Sequence, residues 1–528
     1  MKTIQQFMRR PWLYLFIVLI SVSLKFYRLD YKLFWYDEIC VIAHTSGGKI
    51  FYSPVNEIKN ISFYTDQLHL KNLETTIDSQ LRGLFSHANL SLMHYPLLMI
   101  WYRIVGDDLI HYRLFSVFIF LITLPFLFLL AKTMFKSNLA GWIIISIYSI
   151  SPFFHQFAQE ARYYILWAFF IIVFHFLFLK AIQHQKLKWF IIYSVIGIMA
   201  MYTSLLSGFV IFGHLLYIWI LNKNLRLKYC IVLVAIFLFY SPWIHSIIIN
   251  KIEIKYSLDW HKLNYDLPLW GPLIGQLLGF VRAFVFYKDY TLFWENIFEK
   301  YSFLFLEFAF DFLILTFIII AFIFLVKKSK KENAYFLILM IAPGFLFFYI
   351  SDIARNGWTS IWWRYHIFNI ICVILVITNI LNKKIEQGKL FYSTIYIGLV
   401  IIGLVSILTI SNRRYWYLGG DWQQVFIEDA RLFSNSTQPL VVTDFKPWMG
   451  LNWAMVVFGD CDSDSIDILR GSAIDDNLKE RIPMENYSDI YVFQATDELV
   501  ENLKLQFGER MDSLEIKGIS PMWKINNK

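Results

Sequence analysis

Two adjacent carboxylates, Asp37 and Glu38, close the stretch Arg28-Leu29-Asp30-Tyr31-Lys32-Leu33-Phe34-Trp35-Tyr36-Asp37-Glu38, which follows the first long apolar run. A carboxylate held where a helix leaves an apolar phase can take the proton of a weak nucleophile such as a hydroxyl. If the segment is helical, neighbours point about 100° apart. One acid would then face a substrate, and the other would orient or substitute for it. Taken alone, the two acids read as a solvated helix end, with Trp35 and Tyr36 as belt aromatics.

Three other stretches bear on the chemistry, and the first and last of them, on the outer side, change that reading. Gln159-Glu160-Ala161-Arg162-Tyr163-Tyr164 is a tight, charged and tyrosine-rich turn. Glu160 would suit a first-turn dipole position, and Arg162 could snorkel to a surface. Trp362-Trp363-Arg364-Tyr365 repeats the Arg-Tyr pairing. It reads equally as an interfacial anchor or as an anion ligand, because a guanidinium fork matches phosphate geometry. His94-Tyr95-Pro96 opens an amphipathic run, where proline is an ordinary helix start.

The elements that must position these residues are membrane helices. The 528 residues are 57% hydrophobic and 17% charged, with mean hydropathy +0.50. Average soluble chains are ~45–50% apolar and ~25% charged. Apolar runs of spanning length lie near 11–27, 112–131, 139–157, 162–180, 189–205, 206–221, 229–249, 302–326, 334–350, 365–381 and 391–410, about eleven helices by the hydropathy rule. The net charge of +8 is carried largely in short loops. These hold Lys2, Arg9 and Arg10, then Lys132 and Lys136, then Lys180, Lys186 and Lys188, then Lys223, Arg226 and Lys228, then Lys327, Lys328, Lys330 and Lys331, then Lys383, Lys384 and Lys389. All fall on one side of the eleven-span arrangement, which the positive-inside bias makes cytoplasmic. The charge is thus a topology signal and not a nucleic-acid one. Cys40, Cys230, Cys372 and Cys461 show neither zinc spacing nor a disulfide framework. The first run ends in Leu24-Lys25-Phe26-Tyr27-Arg28 without a small-residue cleavage site, so it is expected to stay as a helix.

Residues 91–105 are too short to span and are expected to lie in the interface. Residues 267–287 are broken by Pro268, Gly271, Pro272, Gly275 and Gly279, and are expected to be re-entrant or interfacial, since a crossing there would invert every later loop. The outer side then carries a first loop over 28–111, a second over 250–301 and a tail over 412–528, with the membrane domain at 1–411. The tail reads as a small α/β domain. It has an amphipathic helix over 421–433, strands over 439–445 and 490–493, and a helix over 497–507 capped by Thr496 and stopped by Gly508. Trp416, Trp422, Trp448 and Trp453 could stack on sugars, though burial is the commoner fate of such residues.

In order, Arg28-Leu29-Asp30, Trp35-Tyr36-Asp37-Glu38, His94-Tyr95-Pro96-Leu97, Tyr112-Arg113-Leu114-Phe115-Ser116, Ser151-Pro152, Gln159 to Tyr164, Met201-Tyr202-Thr203 and Trp363-Arg364-Tyr365 resemble the landmarks of the GT-C superfamily. Within it the likeness is to the protein O-mannosyltransferases and lipid A aminoarabinose transferases, over roughly residues 10–430. The sequence departs at His94-Tyr95-Pro96, where those families more often have two prolines. The resemblance implies a GT-C fold. It also implies transfer of a sugar from a polyprenyl-phosphate donor to a glycan, lipid or protein acceptor at the outer face of the cytoplasmic membrane. Asp37 would then be the base, with Glu38 as orienter and Glu160 holding Arg162 or the sugar. Arg162, Tyr163, Arg364 and Tyr365 would hold the donor phosphate, while Trp35, Tyr36 and His94 line the substrate cavity. Attack by single displacement would invert the anomeric carbon. No cofactor is required, although Asp37, Glu38 and Glu160 could bind a divalent ion through oxygen. The rival from another class is a transporter or flippase of lipid-linked sugars, which should show ionisable groups within its spans and related halves. His175 and His214 are the main such groups expected here, and polar helix packing explains them more simply.

Overall fold

The computed structural model describes residues 8–46, 54–68, 91–106, 108–252, 268–286, 301–414, 429–444, 466–472, 475, 477–514 and 522–526. The chain divides into two compact units. One comprises Met1–Leu29, Arg82–Leu97 and Arg113–Asn412; the other comprises Asp30–Leu81, Leu98–Tyr112 and Arg413–Lys528. The first loop, grouped by sequence with the membrane helices, is therefore shared between the two.

All eleven apolar runs are helical. Seven helices among the described residues are long and apolar enough to cross a membrane: Leu109–Phe135, Tyr164–His184, Lys223–Ile249, Ala309–Lys328, Lys331–Arg355, Trp363–Glu386 and Leu390–Ser411. Four more runs form shorter helices, Pro11–Phe26, Asn138–Ile150, Leu187–Thr203 and Ser207–Leu221. The run expected over 139–157 is not one helix. It breaks at Ser151, whose backbone is extended, and resumes as Pro152–Ala158. The cause is local: a residue before proline is pushed out of the helical region. Ser151 then caps the new helix, its Oγ accepting from the Phe154 N–H at 3.4 Å.

The Trp363–Glu386 span is the central one, with 94% of its most apolar window buried. Glycines let neighbouring helices approach closely. A Cβ on Gly213 would come within 2.6 Å of the Leu339 carbonyl, and one on Gly403 within 2.6 Å of the Ile150 carbonyl. One set of polar groups within the bundle forms a hydrogen-bonded chain. His175 and His214 are 3.0 Å apart at their ring nitrogens, Tyr193 reaches His214 at 2.9 Å, and Tyr193 meets the Tyr229 hydroxyl at 3.0 Å. That chain joins four helices and suits packing.

The second unit holds a six-stranded sheet in the order β1-β3-β2-β4-β6-β5, with β1 Ile58–Asn60, β2 Pro439–Thr443, β3 Asp467–Arg470, β4 Asp489–Phe493, β5 Met511–Leu514 and β6 Met522–Ile525. Strands β3, β2 and β4 are parallel, and the outer pairings are antiparallel. The Asp497–Phe507 helix packs Leu499, Leu503 and Phe507 against Leu440, Val442 and Ile490. Thr496 caps it, with Oγ1 accepting from the Leu499 N–H at 3.3 Å, and Gly508 ends it at φ +58°. Of the helix expected over 421–433, residues 429–433 are described and helical. Trp416, Trp422, Trp448 and Trp453 lie outside the described residues.

Candidate functional site

In the second unit, Asp37 and Glu38 occupy the first turn of the helix Tyr36–Ser46. The Trp35 carbonyl accepts from the Glu38 and Ile39 N–H groups at 2.9 and 3.0 Å, and Glu38 Oε2 lies 3.5 Å from the Trp35 amide. This is the geometry of a capping box, in which a glutamate reaches back to the residue that starts its helix. Glu38 is fully buried while Asp37 is only half-buried. The two acids therefore differ in setting: Glu38 is buried and reaches back to its own helix start, and Asp37 is half-buried. Trp35 is buried and Tyr36 half-buried. Lys32, five residues earlier, is 3% exposed and was not singled out by the sequence.

In the first unit, the turn after Pro152–Ala158 is held by two other segments and by a bond of its own. Gln159 Nε2 donates to the Lys25 and Tyr27 carbonyls at 3.2 and 3.1 Å. Ser116 Oγ donates to the Glu160 carbonyl at 2.6 Å, and the Arg162 N–H to the same carbonyl at 2.8 Å. Arg113 is wholly buried and donates to the Leu29 carbonyl at 2.9 Å. From the Tyr112 to Ser116 landmark, Ser116 thus holds this turn, while Arg113 holds the chain at Leu29. Glu160 is buried, at 1% exposure.

The pinned turn aims Arg162 among rings. Its Nη2 donates to the Tyr164 hydroxyl at 3.1 Å, and its guanidinium lies 5.0 Å from the Tyr164 ring and 5.7 Å from that of Tyr163. Arg364 has the same setting, 5.0 Å from the Trp362 ring and 5.3 Å from that of Tyr365. At 8% exposure Arg364 is not a snorkelling anchor. The electrostatics bring these groups together. Burial pushes the Tyr163 hydroxyl above its ordinary value, while the Arg162 and Arg364 guanidiniums pull it down and Tyr365 pushes it up. His94 belongs to the same cluster. Burial pushes its imidazole down to about 3, and the Arg162 guanidinium pushes the same way. Neither ring nitrogen of His94 has a hydrogen-bond partner among the described residues. Leaving buried polar atoms unmade costs about 1–3 kcal/mol each, which a polar ligand would recover.

The sequence missed what supports Arg364. Residues 267–287 contain an 11-residue helix, Gly271–Val281. It is far shorter than the ~20 residues a spanning helix needs. Its glycines are contact points: a Cβ on Gly275 would sit 2.7 Å from Ile361 Cγ1, and one on Gly279 2.6 Å from Trp363 Cδ1. Just beyond it, Arg282 makes a buried two-pronged pair with Asp311, both bonds 2.7 Å, and its guanidinium lies 5.8 Å from the Trp363 ring. Asp352 shapes the turn before Arg364, accepting from the Thr359 and Ser360 N–H groups at 3.0 and 2.6 Å. Lys25 was also missed. It is wholly buried, donating to the Ser149 carbonyl at 2.8 Å and lying 3.1 Å from His155 Nδ1. Its place next to the end of an apolar run gave no sign of this. Among the described residues no three His, Cys, Asp or Glu side chains converge to hold a metal.

Comparison with known proteins agrees with the GT-C resemblance. Residues 89–245 match the family model described as dolichyl-phosphate-mannose-protein mannosyltransferase. That stretch contains His94, Glu160, Arg162 and Tyr163. No curated protein sequence matches the chain. Among solved structures, ArnT from Cupriavidus metallidurans bound to undecaprenyl phosphate is similar with TM-score 0.53 and 10% identity, over 97% of this chain and 98% of that one. The apo state of the same protein gives TM-score 0.54 and 11% identity, over 97% of each chain. The protein is a polytopic helical membrane protein with the fold of ArnT.

Proposed function

We propose that the chain is a glycosyltransferase that moves a sugar from a polyprenyl-phosphate donor to a glycan, lipid or protein acceptor at the outer face of the cytoplasmic membrane, with eleven crossings and the N-terminus inside. The observation that carries this reading is the caged pair of guanidiniums. Buried Arg364 and His94 and half-buried Arg162, Tyr163 and Tyr365 belong to one aromatic cluster inside the helical bundle. Buried cations held by rings are suited to a phosphate that gains charge as the bond to the sugar breaks, since groups fixed in place beforehand need no reorganisation. The similarity to a fold solved with undecaprenyl phosphate supports the same class of donor.

In this reading Asp37 takes the proton of the acceptor hydroxyl as its oxygen attacks the anomeric carbon. The sugar–phosphate bond breaks with its electrons leaving on the phosphate oxygen, and the single displacement inverts the centre. Glu38 caps its helix and so orients Asp37. Glu160 fixes the arginine turn, and a neutral His94 offers one donor and one acceptor to a sugar hydroxyl. The test uses purified protein in proteoliposomes with a polyprenyl-phosphate sugar labelled in the sugar and an envelope extract as acceptor. Label should move to the acceptor with release of polyprenyl phosphate. Delivery of intact donor across the bilayer without bond cleavage would instead establish the transporter.

A further inference from the structure

The lysine-rich end of the bundle holds an open hollow outside the site described above. The helices Tyr301–Lys328, Ile367–Glu386 and Leu390–Ser411 border an open hollow of about 750 Å³ there. Lys327, Lys328, Lys383 and Lys384 line it. Lys383 and Lys384 hold their ammonium groups 5.6 and 5.2 Å from the Phe324 ring, and Lys384 is 5.8 Å from Tyr392.

Positive loops at this face are expected for topology alone, and lysines also suit helix C-termini. Lys383 satisfies part of that account by donating to the Lys328 carbonyl at 2.8 Å. Topology needs charge in the loops, however, and does not need four lysines gathered on one hollow. None of the four is ion-paired among the described residues. The one carboxylate in the wall, Glu386, has Oε1 engaged by Ser137 Oγ at 2.7 Å, and Arg9 adds a further cation at the Glu386 carbonyl. Like charges held this close repel one another unless an anion joins them. Ile320, Ile323, Phe324 and Ile380 form an apolar wall beside the cations. A cationic rim above an apolar wall, at the end of membrane helices, matches a phospholipid: phosphate on the lysines and acyl chain on the wall. Basic hollows between membrane helices on the cytoplasmic side hold anionic lipid headgroups in this way.

We infer that this hollow binds the phosphate headgroup of an anionic phospholipid of the inner leaflet, independently of the sugar-transfer site. The probe is cardiolipin, titrated onto the purified full-length protein in neutral detergent and read by native mass spectrometry. Phosphatidylcholine and inorganic phosphate serve as the other arms. Retention of cardiolipin well above phosphatidylcholine is expected, with no effect of millimolar phosphate. The double variant Lys383→Ala/Lys384→Ala should weaken cardiolipin retention about thirtyfold, since each lysine near the headgroups is worth roughly 1 kcal/mol. Lys330 and Lys331 remain to keep the topology. Lys327→Ala/Lys328→Ala should act in the same direction, and Lys383→Arg/Lys384→Arg should retain the lipid. Equal retention of cardiolipin by the wild type and both alanine pairs would overturn the site. So would equal retention of phosphatidylcholine by the wild type, a measurement that depends on no variant's folding. Displacement by phosphate alone would show a bare anion site and overturn the lipid assignment.

Discussion

The first and last turns of one central helix treat their cations in opposite ways. Just before Ile367–Glu386, Arg364 is 8% exposed, boxed by Trp362 and Tyr365, and shares its surroundings with Arg162. At the other end of the same helix, Lys383 and Lys384 are half-buried on the rim of an open hollow. The difference is one of chemistry. A planar guanidinium is weakly hydrated, stacks on rings and offers a fixed fork, so it can be buried and pre-aimed. A compact ammonium keeps its water and serves as a point charge. The molecule keeps its guanidiniums among rings and these ammonium groups on an open rim.

That contrast can be broken in graded steps. The largest effect should come from the proton acceptor: Asp37→Asn should cost about 10²–10⁴-fold in transfer rate, the usual worth of a general base. Donor binding should be intact, as read by retention of the polyprenyl-phosphate lipid. Next, Arg364→Lys and Arg162→Lys should each lose about 10²–10³-fold in transfer, as preorganised charge-stabilising groups do, because lysine keeps the charge and loses the fork. Charge alone would be the requirement if either lysine variant turned over normally. Asp311→Asn removes the carboxylate charge facing buried Arg282, and should cost about 1.5–3 kcal/mol. Thermal unfolding in detergent reads that loss.

A fourth prediction concerns His94. Its folded value is about 3 against an ordinary 6.5. The unfolded chain therefore binds a proton that the folded chain refuses between those values, and stability should fall as pH drops from about 6.5 toward about 3. His94→Gln should flatten that acid branch in melting curves taken across the window. The smallest effect belongs to Glu38→Ala, which should cost about 1 kcal/mol through loss of its helix cap. Its transfer rate should fall far less than that of Asp37→Asn.

Much of this was legible in the residue order. Hydropathy found the seven helices among the described residues that are long and apolar enough to cross a membrane, because burial in lipid demands a long apolar run, and that demand is local. The Asp497–Phe507 helix was also legible, since its Thr496 cap and Gly508 stop are local signals. The break at Ser151 could have been read from Pro152, yet the surrounding apolar run hid it. Strand β1 was not legible. Its three residues, Ile58–Asn60, pair with Asp467–Arg470 some 400 positions away, and nothing local announces such a partner. At the site, Arg162 and Arg364 stood out because arginine is rare near apolar runs. Arg282 and Asp311 did not, because their meaning lies in a pairing 29 residues apart. Gly275 and Gly279 looked like helix breakers, but their missing side chains make room for Ile361 and Trp363.

In the proposed reaction, sugar transfer depends on Asp37 as the base. That dependence is tested most directly by mass spectrometry of envelope glycans and glycolipids from cells lacking the gene, complemented with wild type or with Asp37→Asn at matched membrane levels. One sugar-bearing species should disappear in the deletion, return with the wild type and stay absent with Asp37→Asn. Full restoration by Asp37→Asn would contradict that dependence.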